Sequence, residues 1–188
     1  SAPSYFSAKG EGKAKVGNIE TRKLPVEQVS WLDAVAFCNA LSVKEGLPQF
    51  YTIDGVKVSV SDWNGKGYRL PTEAEGEYAG RAGKPARYSF GDEAGSLGEF
   101  AWFGGNSDNR THPVGEKTAN GFGLYDMHGN VWEWCWDGKV DYGAAGVVDP
   151  HGPDEAPFRV DRGGGWGSAA LNARSVFRSW LTPDYRVD

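Results

Sequence analysis

The stretch that decides the fold is Gly121-Phe122-Gly123-Leu124-Tyr125-Asp126-Met127-His128-Gly129-Asn130-Val131-Trp132-Glu133-Trp134. Its first half is rich in glycine, which adopts the backbone conformations that tight turns require. Its second half leads into residues 131–136, where every second side chain is a tryptophan. Such alternation is typical of a strand with one buried face. The stretch therefore predicts a tight loop that runs directly into a core strand.

The composition indicates an aromatic core wrapped by glycine-rich loops. The chain has 188 residues, which suits one domain, and it contains 27 Gly, 8 Trp, 8 Tyr and 9 Phe. Its net charge of −5 argues against binding to the phosphates of a nucleic acid. No apolar run approaches the roughly 18 residues of a membrane-spanning helix. We therefore expect neither a nucleic-acid partner nor a transmembrane span.

Two helices are predicted early in the chain, over residues 30–46 and 73–82. Each begins at a capping box, in which a Ser or Thr precedes an acidic residue by three positions. The first helix ends at Gly46, a residue type that favours helix C-termini. The capping pairs are Ser30 with Asp33, and Thr72 with Glu75.

Short strands are predicted in much of the remaining sequence. Asp54-Gly55 is a two-residue turn that predicts a hairpin between residues 50–53 and 56–60. Beyond residue 84 the candidate strands are residues 124–125, 131–136, 158–160 and 174–177. The predicted fold class is α+β, with two helices, short antiparallel strands and long loops. Residues 1–24 are polar and patternless and are predicted to be an N-terminal arm or linker, which leaves residues 25–188 as one domain.

Four segments carry a more specific signal: residues 25–31, 68–75, 121–134 and 162–166. In this order and spacing they resemble the formylglycine-generating-enzyme (sulfatase-modifying factor) family. The resemblance runs from about Pro25 to Asp188. It implies the variant of the C-type lectin fold that this family adopts.

The cysteines do not match the catalytic pattern of that family. Members that oxidise a sulfatase cysteine use paired cysteines after the R-G-G-x-W motif, usually with copper, but residues 167–188 contain no cysteine. Cys38 and Cys135 are expected to be packed thiols or one disulfide. The three histidines, His112, His128 and His151, show no metal-binding spacing. We therefore expect the fold without catalysis, and the alternatives are a metal-dependent oxidase or an accessory module of the same family.

The resemblance implies a calcium loop within residues 126–133, and it requires no other cofactor. The implied ligands are the side chains of Asp126 and Glu133 and the backbone carbonyls of Gly129 and Val131. Carboxylate and carbonyl oxygens are the ligands that calcium prefers. The alternative is that Asp126 caps a turn and that Glu133 pairs with an arginine.

The region 162–188 combines a regular frame with side chains of unrelated character. The frame reads R-G-G-G-W, then A-R-S-x-x-R, then T-P-D-Y-R. The pattern resembles the variable region of proteins diversified by retroelements, of the treponemal type, in which adenine-directed mutagenesis rewrites asparagine-type codons. The resemblance implies a non-catalytic ligand-binding protein with a diversified C-terminal surface.

Each position of this region has a predicted role. Frame residues are expected to hold the backbone by ion pairs and stacking, and they are Arg162, Trp166, Arg174, Arg178 and Asp184. The positions expected to face the ligand are Gly167, Ser168, Ala170, Leu171, Val176, Phe177, Ser179, Trp180, Leu181, Val187 and Asp188. The alternative is that Val176, Phe177, Trp180 and Leu181 are core residues of two short strands.

An exposed patch with Trp, Phe and Leu would suit a protein or another macromolecule as the ligand. The resemblance implies display at the cell surface or outside the cell, including attachment through a lipid-anchored segment beyond these residues.

Overall fold

The computed structural model describes residues 3–143 and 146–186, which form short elements of both kinds. The α-helices are α1 (Lys13–Val16), α2 (Trp31–Lys44), α3 (Glu73–Arg81) and α4 (Leu97–Phe100). The strands are β1 (Tyr51–Asp54), β2 (Lys57–Val60), β3 (Glu133–Gly138), β4 (Arg159–Arg162) and β5 (Ser179–Leu181). Single 3-10 turns lie at Thr21–Lys23, Ala94–Ser96 and Ala170–Ala173. This content confirms the predicted α+β class.

Helices α2 and α3 begin at the predicted capping boxes. The Ser30 hydroxyl accepts a hydrogen bond from the backbone N–H of Asp33, and the Asp33 carboxylate accepts one from the Ser30 N–H at 2.8 Å. Thr72 and Glu75 form the same reciprocal pair at the start of α3. These bonds satisfy backbone N–H groups that have no partner within the helix.

The strands form two antiparallel sheets. Strands β1 and β2 form the predicted hairpin, in which Tyr51 pairs with Val60 and Gly55 takes a positive φ of 60° in the turn. The second sheet has the order β3-β4-β5, and Asp161 at its centre pairs with Trp134 on one side and with Ser179 on the other. The strand predicted at residues 131–136 is therefore confirmed, although it begins at Glu133.

Two predicted strands are wrong because local hydrogen bonds close turns there. Residues 124–125 lie in a loop where the side-chain oxygen of Asn120 accepts the N–H groups of Phe122 and Leu124. Residues 174–177 form a turn in which the Phe177 N–H donates to the Arg174 carbonyl. The strand follows this turn, as β5, instead of occupying it.

The core is aromatic, as the composition indicates. Trp31 of α2 and Trp136 of β3 are almost completely buried, and the Tyr51 ring stacks on Trp136 with 5.2 Å between centroids. The Arg159 guanidinium lies 4.0 Å from the Trp31 ring centre and donates to the Trp136 carbonyl at 2.9 Å. We call this cluster around Trp31, Tyr51 and Trp136 the aromatic core. It joins helix α2, the hairpin and the second sheet.

Residues 5–24, predicted to be an arm or linker, pack against the rest of the protein. Phe6, Val16 and Leu24 are buried together, and the Phe6 ring meets the Trp166 ring edge-to-face at 5.5 Å. The Glu27 carboxylate accepts the backbone N–H of Phe6 at 2.9 Å. These residues show no periodic pattern because isolated apolar side chains in irregular backbone make the contacts.

The stretch 121–134 crosses the protein under close steric control. Gly129 has a φ of 82°, and a Cβ there would lie 2.2 Å from the Trp102 carbonyl oxygen, so only glycine fits. The next side chain, Asn130, is buried and bonds both the N–H and the carbonyl of His112 at 3.1 Å. This loop therefore holds the beginning of β3 against residues 102–112.

Candidate functional site

The backbone after β4 turns sharply at the R-G-G-G-W motif. Gly163 and Gly164 both have positive φ values, of 90° and 81°. A Cβ on Gly164 would lie 3.3 Å from the Cα of Ala173, so the turn at Ala170–Ala173 approaches this glycine closely. The motif thus brings residues 167–178 back onto the domain.

Two arginines of the C-terminal region are paired with helix α3. The Arg178 guanidinium binds the Glu73 carboxylate at 2.6 and 2.7 Å. Arg162 lies between Glu73 and Glu77 and forms an ion pair with each. The side chains of Glu73, Arg162 and Arg178 are all less than 15% exposed. Buried bidentate pairs of this kind are geometrically specific.

Sequence reasoning missed Glu73, Glu77 and His128 as anchors of this region. The first two lie one helical turn apart on α3, a spacing that could have been matched to the arginines of the frame. His128 donates from Nδ1 to the Ala173 carbonyl at 2.7 Å, and its Nε2 accepts the Ser89 N–H at 3.1 Å. Burial lowers the pKa of His128, which keeps this neutral arrangement.

The other frame residues have different surroundings. Trp166 packs on Phe6, and its backbone N–H donates to the Asn130 carbonyl at 2.8 Å. Arg174 donates to the Leu171 carbonyl at 2.8 Å and makes no ion pair with another described residue. Asp184 is exposed, and a hydrogen bond from the Thr182 hydroxyl lowers its pKa.

None of the nine described positions predicted to face the ligand is buried. Trp180, Leu171 and Val176 are exposed by 44%, 53% and 49%. We call these nine positions the C-terminal face: exposed Gly167, Leu171, Val176 and Trp180, with half-buried Ser168, Ala170, Phe177, Ser179 and Leu181. Val187 and Asp188 lie outside the described residues.

The alternative prediction was that four apolar residues of this region belong to the core, and it applies to only two of them. Leu181 packs against the aromatic core, and the Phe177 ring contacts Trp132 at 6.0 Å. Trp180 instead lies outward on β5, with the Lys139 ammonium 4.9 Å from its ring centre. Val176 lies in the turn before β5 and is exposed.

A groove of about 580 Å³ adjoins Arg178, between α3 and the two segments 137–143 and 147–152. Its walls include Tyr78 and Val140, and the Tyr142 ring lies 4.1 Å from the Arg178 guanidinium. A concave surface with apolar walls is therefore in contact with the anchor of the C-terminal face.

The predicted calcium loop brings two carboxylates near each other. The Asp126 carboxylate accepts the Gly115 N–H at 2.8 Å, whereas the Glu133 carboxylate has no hydrogen-bond partner among the described residues. Glu133 is exposed at the start of β3, where it lines a narrow crevice beside Met127 and Arg162. Partial desolvation of its carboxylate, together with repulsion from Asp126, raises the pKa of Glu133 above its ordinary value. The predicted ion pair between Glu133 and an arginine is not formed within the described part of the chain.

The oxygen donors of this loop fit a hard cation only if backbone carbonyls contribute. Within residues 3–143 and 146–186, no three His, Cys, Asp or Glu side chains meet in a group that could hold a metal. The Gly129 and Val131 carbonyls accept no hydrogen bond from another described residue. Two carboxylates and two unpartnered carbonyls form a donor set that suits calcium.

The two thiols are separate and buried. Cys38 lies on α2 and Cys135 on β3, and both are free, which decides between the two predicted states. Burial raises the pKa of each thiol above its ordinary value. Because the thiolate is the reactive form, neither environment favours thiol chemistry. No helix among the described residues has the length and apolar character needed to cross a membrane.

Comparisons with known proteins agree with this geometry. Treponema denticola variable protein 1 superposes with a TM-score of 0.85 and 36% identity, over 92% of this chain and 70% of that one. Chaperone protein LppX of Paenibacillus barcinonensis is 36% identical in an alignment that covers 79% of this chain and 61% of LppX. The formylglycine-generating enzyme of Streptomyces coelicolor is 37% identical in an alignment that covers 85% of this chain and 48% of the enzyme.

These matches confirm the resemblance that the four sequence segments indicated. The chain spans between 48% and 61% of the length of the two curated relatives. The family model described as "Sulfatase-modifying factor enzyme 1-like domain" matches residues 5–188. The match therefore includes most of the segment predicted to be an arm or linker. The chain therefore belongs to the sulfatase-modifying factor enzyme 1-like family.

Proposed function

We propose that the protein is a non-catalytic ligand-binding protein whose C-terminal face contacts a protein or another macromolecule. The observation that carries the proposal is the contrast within one segment: Arg162 and Arg178 are buried in ion pairs with α3, whereas Leu171, Val176 and Trp180 are exposed. Large apolar side chains on a rigid backbone bind with a small entropic cost. Tryptophan in particular is enriched among residues that dominate binding energy.

Because the ion pairs of Arg162 and Arg178 with α3 hold the backbone, the exposed positions can change without unfolding the region. The exposed side chains of the C-terminal face lie outside the core, unlike Leu181 and Phe177, so replacing the exposed ones leaves the buried ion pairs and the glycine turn intact. Similarity to Treponema denticola variable protein 1 supports this proposal. We propose that positions 167–188 include the diversified residues and that the face is displayed at the cell envelope or surface, for which the similarity to LppX is further support.

Sequencing sibling genes tests the proposal directly. We expect substitutions concentrated at the nine positions of the C-terminal face and at 187–188, with Arg162, Arg178, Glu73 and Glu77 unchanged. Substitutions spread evenly along the chain would contradict diversification.

We also propose that the loop 126–133 binds calcium. The support is the unpartnered Glu133 carboxylate beside Asp126 and the two free carbonyls. Such an ion would relieve the repulsion between the carboxylates and tie the loop to β3. Melting measured with and without millimolar calcium should show a rise in the midpoint because ligands stabilise the state they bind. The rise should be absent with Asp126→Asn, and an unchanged midpoint for the parent protein would refute the site.

The second candidate is a metal-dependent oxidase, which the similarity to the Streptomyces coelicolor enzyme supports. In the described residues this activity would have to use Cys38 or Cys135, whose raised pKa values disfavour the thiolate that soft metals bind. An assay of copper-dependent cysteine oxidation in a sulfatase-type peptide separates the two functions. Turnover abolished by Cys135→Ser would establish the oxidase instead.

A further inference from the structure

A small cavity lies at the edge of the second sheet, between residues 26–29 and the start of β3. Its volume is about 30 Å³, which admits one or two groups of the size of a water molecule. The residues that line it include Trp132, Trp134 and Asp161. We call this cavity the Asp161 pocket.

Asp161 is a buried acid without a cationic partner in the described structure. It lies on β4 and is 2% exposed. Its Oδ1 atom has no hydrogen-bond partner, while the Ser179 hydroxyl donates to the same carboxylate. Among the described residues that line the pocket there is no Lys, Arg or His. A buried carboxylate in this state is costly unless a cation or further donors reach it.

The second acid that lines the pocket has a structural role. The Glu27 carboxylate accepts the backbone N–H groups of Tyr5 and Phe6 at 2.8 and 2.9 Å. It therefore holds the N-terminal segment in place.

We propose that the Asp161 pocket binds a compact alkylammonium group, the end of a lysine side chain of the protein ligand. A carboxylate together with two indole rings is a chemistry that recognises ammonium groups, since aromatic faces attract cations. The small volume admits an ammonium group and excludes a planar guanidinium. The lysine as the source rests on the proposed ligand-binding function, whereas affinity for an alkylammonium ion does not.

Two positions of the C-terminal face contact residues that line this pocket. Ser179 pairs with Asp161 across the β4–β5 ladder and bonds its carboxylate, and Phe177 contacts the Trp132 ring. The residue at position 179 therefore decides how many acceptor sites Asp161 offers. A pocket of constant charge would recognise the cation while the neighbouring positions select among ligands that carry it.

Nuclear magnetic resonance titration with n-butylammonium chloride at pH 7.5, in a buffer free of amines, tests the proposal. We expect saturable shifts of the Trp132 and Trp134 indole signals. Tetramethylammonium chloride, which has the same charge but is too large, should cause none. Asp161→Asn should weaken binding about tenfold or more because it removes the charge.

Further variants separate binding from folding. Trp132→Leu leaves the carboxylate in place and should weaken binding by removing one aromatic face. Glu45→Gln, which removes an exposed carboxylate just after the end of α2, should leave binding unchanged. Equal shifts with both cations, full binding by Asp161→Asn, or binding of ammonium without butylammonium would each overturn the proposal. Sibling sequences that vary evenly would refute the proposed function without changing these titrations.

Discussion

Trp136 on β3 and Trp180 on β5 belong to the same three-stranded sheet, yet Trp136 is fully buried and Trp180 is 44% exposed. Around Trp136 the chain is held by aromatic packing with Trp31 and Tyr51. Around Trp180 it is held by the ion pairs of Arg178 and by backbone hydrogen bonds of β5. Both strands therefore belong to one hydrogen-bonded sheet, but only the strand around Trp136 depends on its own apolar side chains.

The largest expected loss of stability comes from truncating a side chain of the aromatic core. Trp136→Ala should lower the free energy of unfolding by about 4 kcal/mol, since it leaves a large cavity beneath Tyr51. Trp180→Ala should change it by less than about 0.5 kcal/mol, as is usual for surface substitutions. Urea denaturation of both variants measures the contrast. Similar losses for the two tryptophans would mean that Trp180 is a core residue.

Breaking the anchor of the C-terminal face comes next. Glu73→Ala should cost about 3 kcal/mol because it leaves Arg178 and Arg162 buried with reduced pairing. The same denaturation experiment measures this loss. Glu155→Gln, which breaks the exposed pair with Lys57, is the matched control and should leave stability unchanged. A loss as small as that of the control would contradict the anchoring role of α3.

The acid beneath the C-terminal face gives a smaller effect that depends on pH. Burial raises the pKa of Asp161 to about 6 in the folded protein, above the ordinary value near 3.8. The folded state therefore binds the proton more tightly, and this contribution to stability is lost as pH rises through 6. Without amines, Asp161→Asn should be more stable than the parent protein by about 1–2 kcal/mol at pH 7.5.

That difference should shrink as pH falls from 7 to 4, because the protonated acid then resembles the amide. Thermal melts of both proteins across this range measure it. A difference that is independent of pH would contradict the assigned burial of an ionised carboxylate.

The smallest expected effect is an increase in the free energy of unfolding. Gly76 lies inside α3, where an added Cβ would meet the Cys135 sulfur at an ordinary contact distance of 3.8 Å. Gly76→Ala should raise the free energy of unfolding by about 1 kcal/mol through helix propensity. Calorimetric melting measures it, and Gly129→Ala is the opposite control, since its Cβ would overlap the Trp102 carbonyl. Loss of stability in Gly76→Ala would mean that the gap between α3 and β3 must stay open.

The predictable parts of the structure are those encoded within a few neighbouring residues. The capping boxes at Ser30 and Thr72 predicted α2 and α3, and Asp54-Gly55 predicted the hairpin. The spaced motifs predicted the family. Each of these signals depends on local backbone preference or on recurring spacing.

The parts that could not be predicted depend on distant partners. Residues 5–24 lack a pattern because their order comes from Trp166 and Glu27, not from neighbours along the chain. The turn at residues 174–177 depends on a hydrogen bond from Ser175 to the Arg87 carbonyl. The role of His128 depends likewise on Ser89 and Ala173. The paired acids Glu73 and Glu77 lay within a recognised helix, but their arginine partners are about a hundred residues away.

The contact between Phe6 and Trp166 has a consequence for protein engineering. Trp166 begins the segment that holds the C-terminal face, and Phe6 covers its ring. A binding library built on this domain would lose that cover if it were shortened to begin at Pro25, as the sequence motifs alone would suggest. An indole then exposed to water would promote self-association, and selection would enrich variants that bind non-specifically. The patternless N-terminal segment is therefore part of the smallest useful display scaffold.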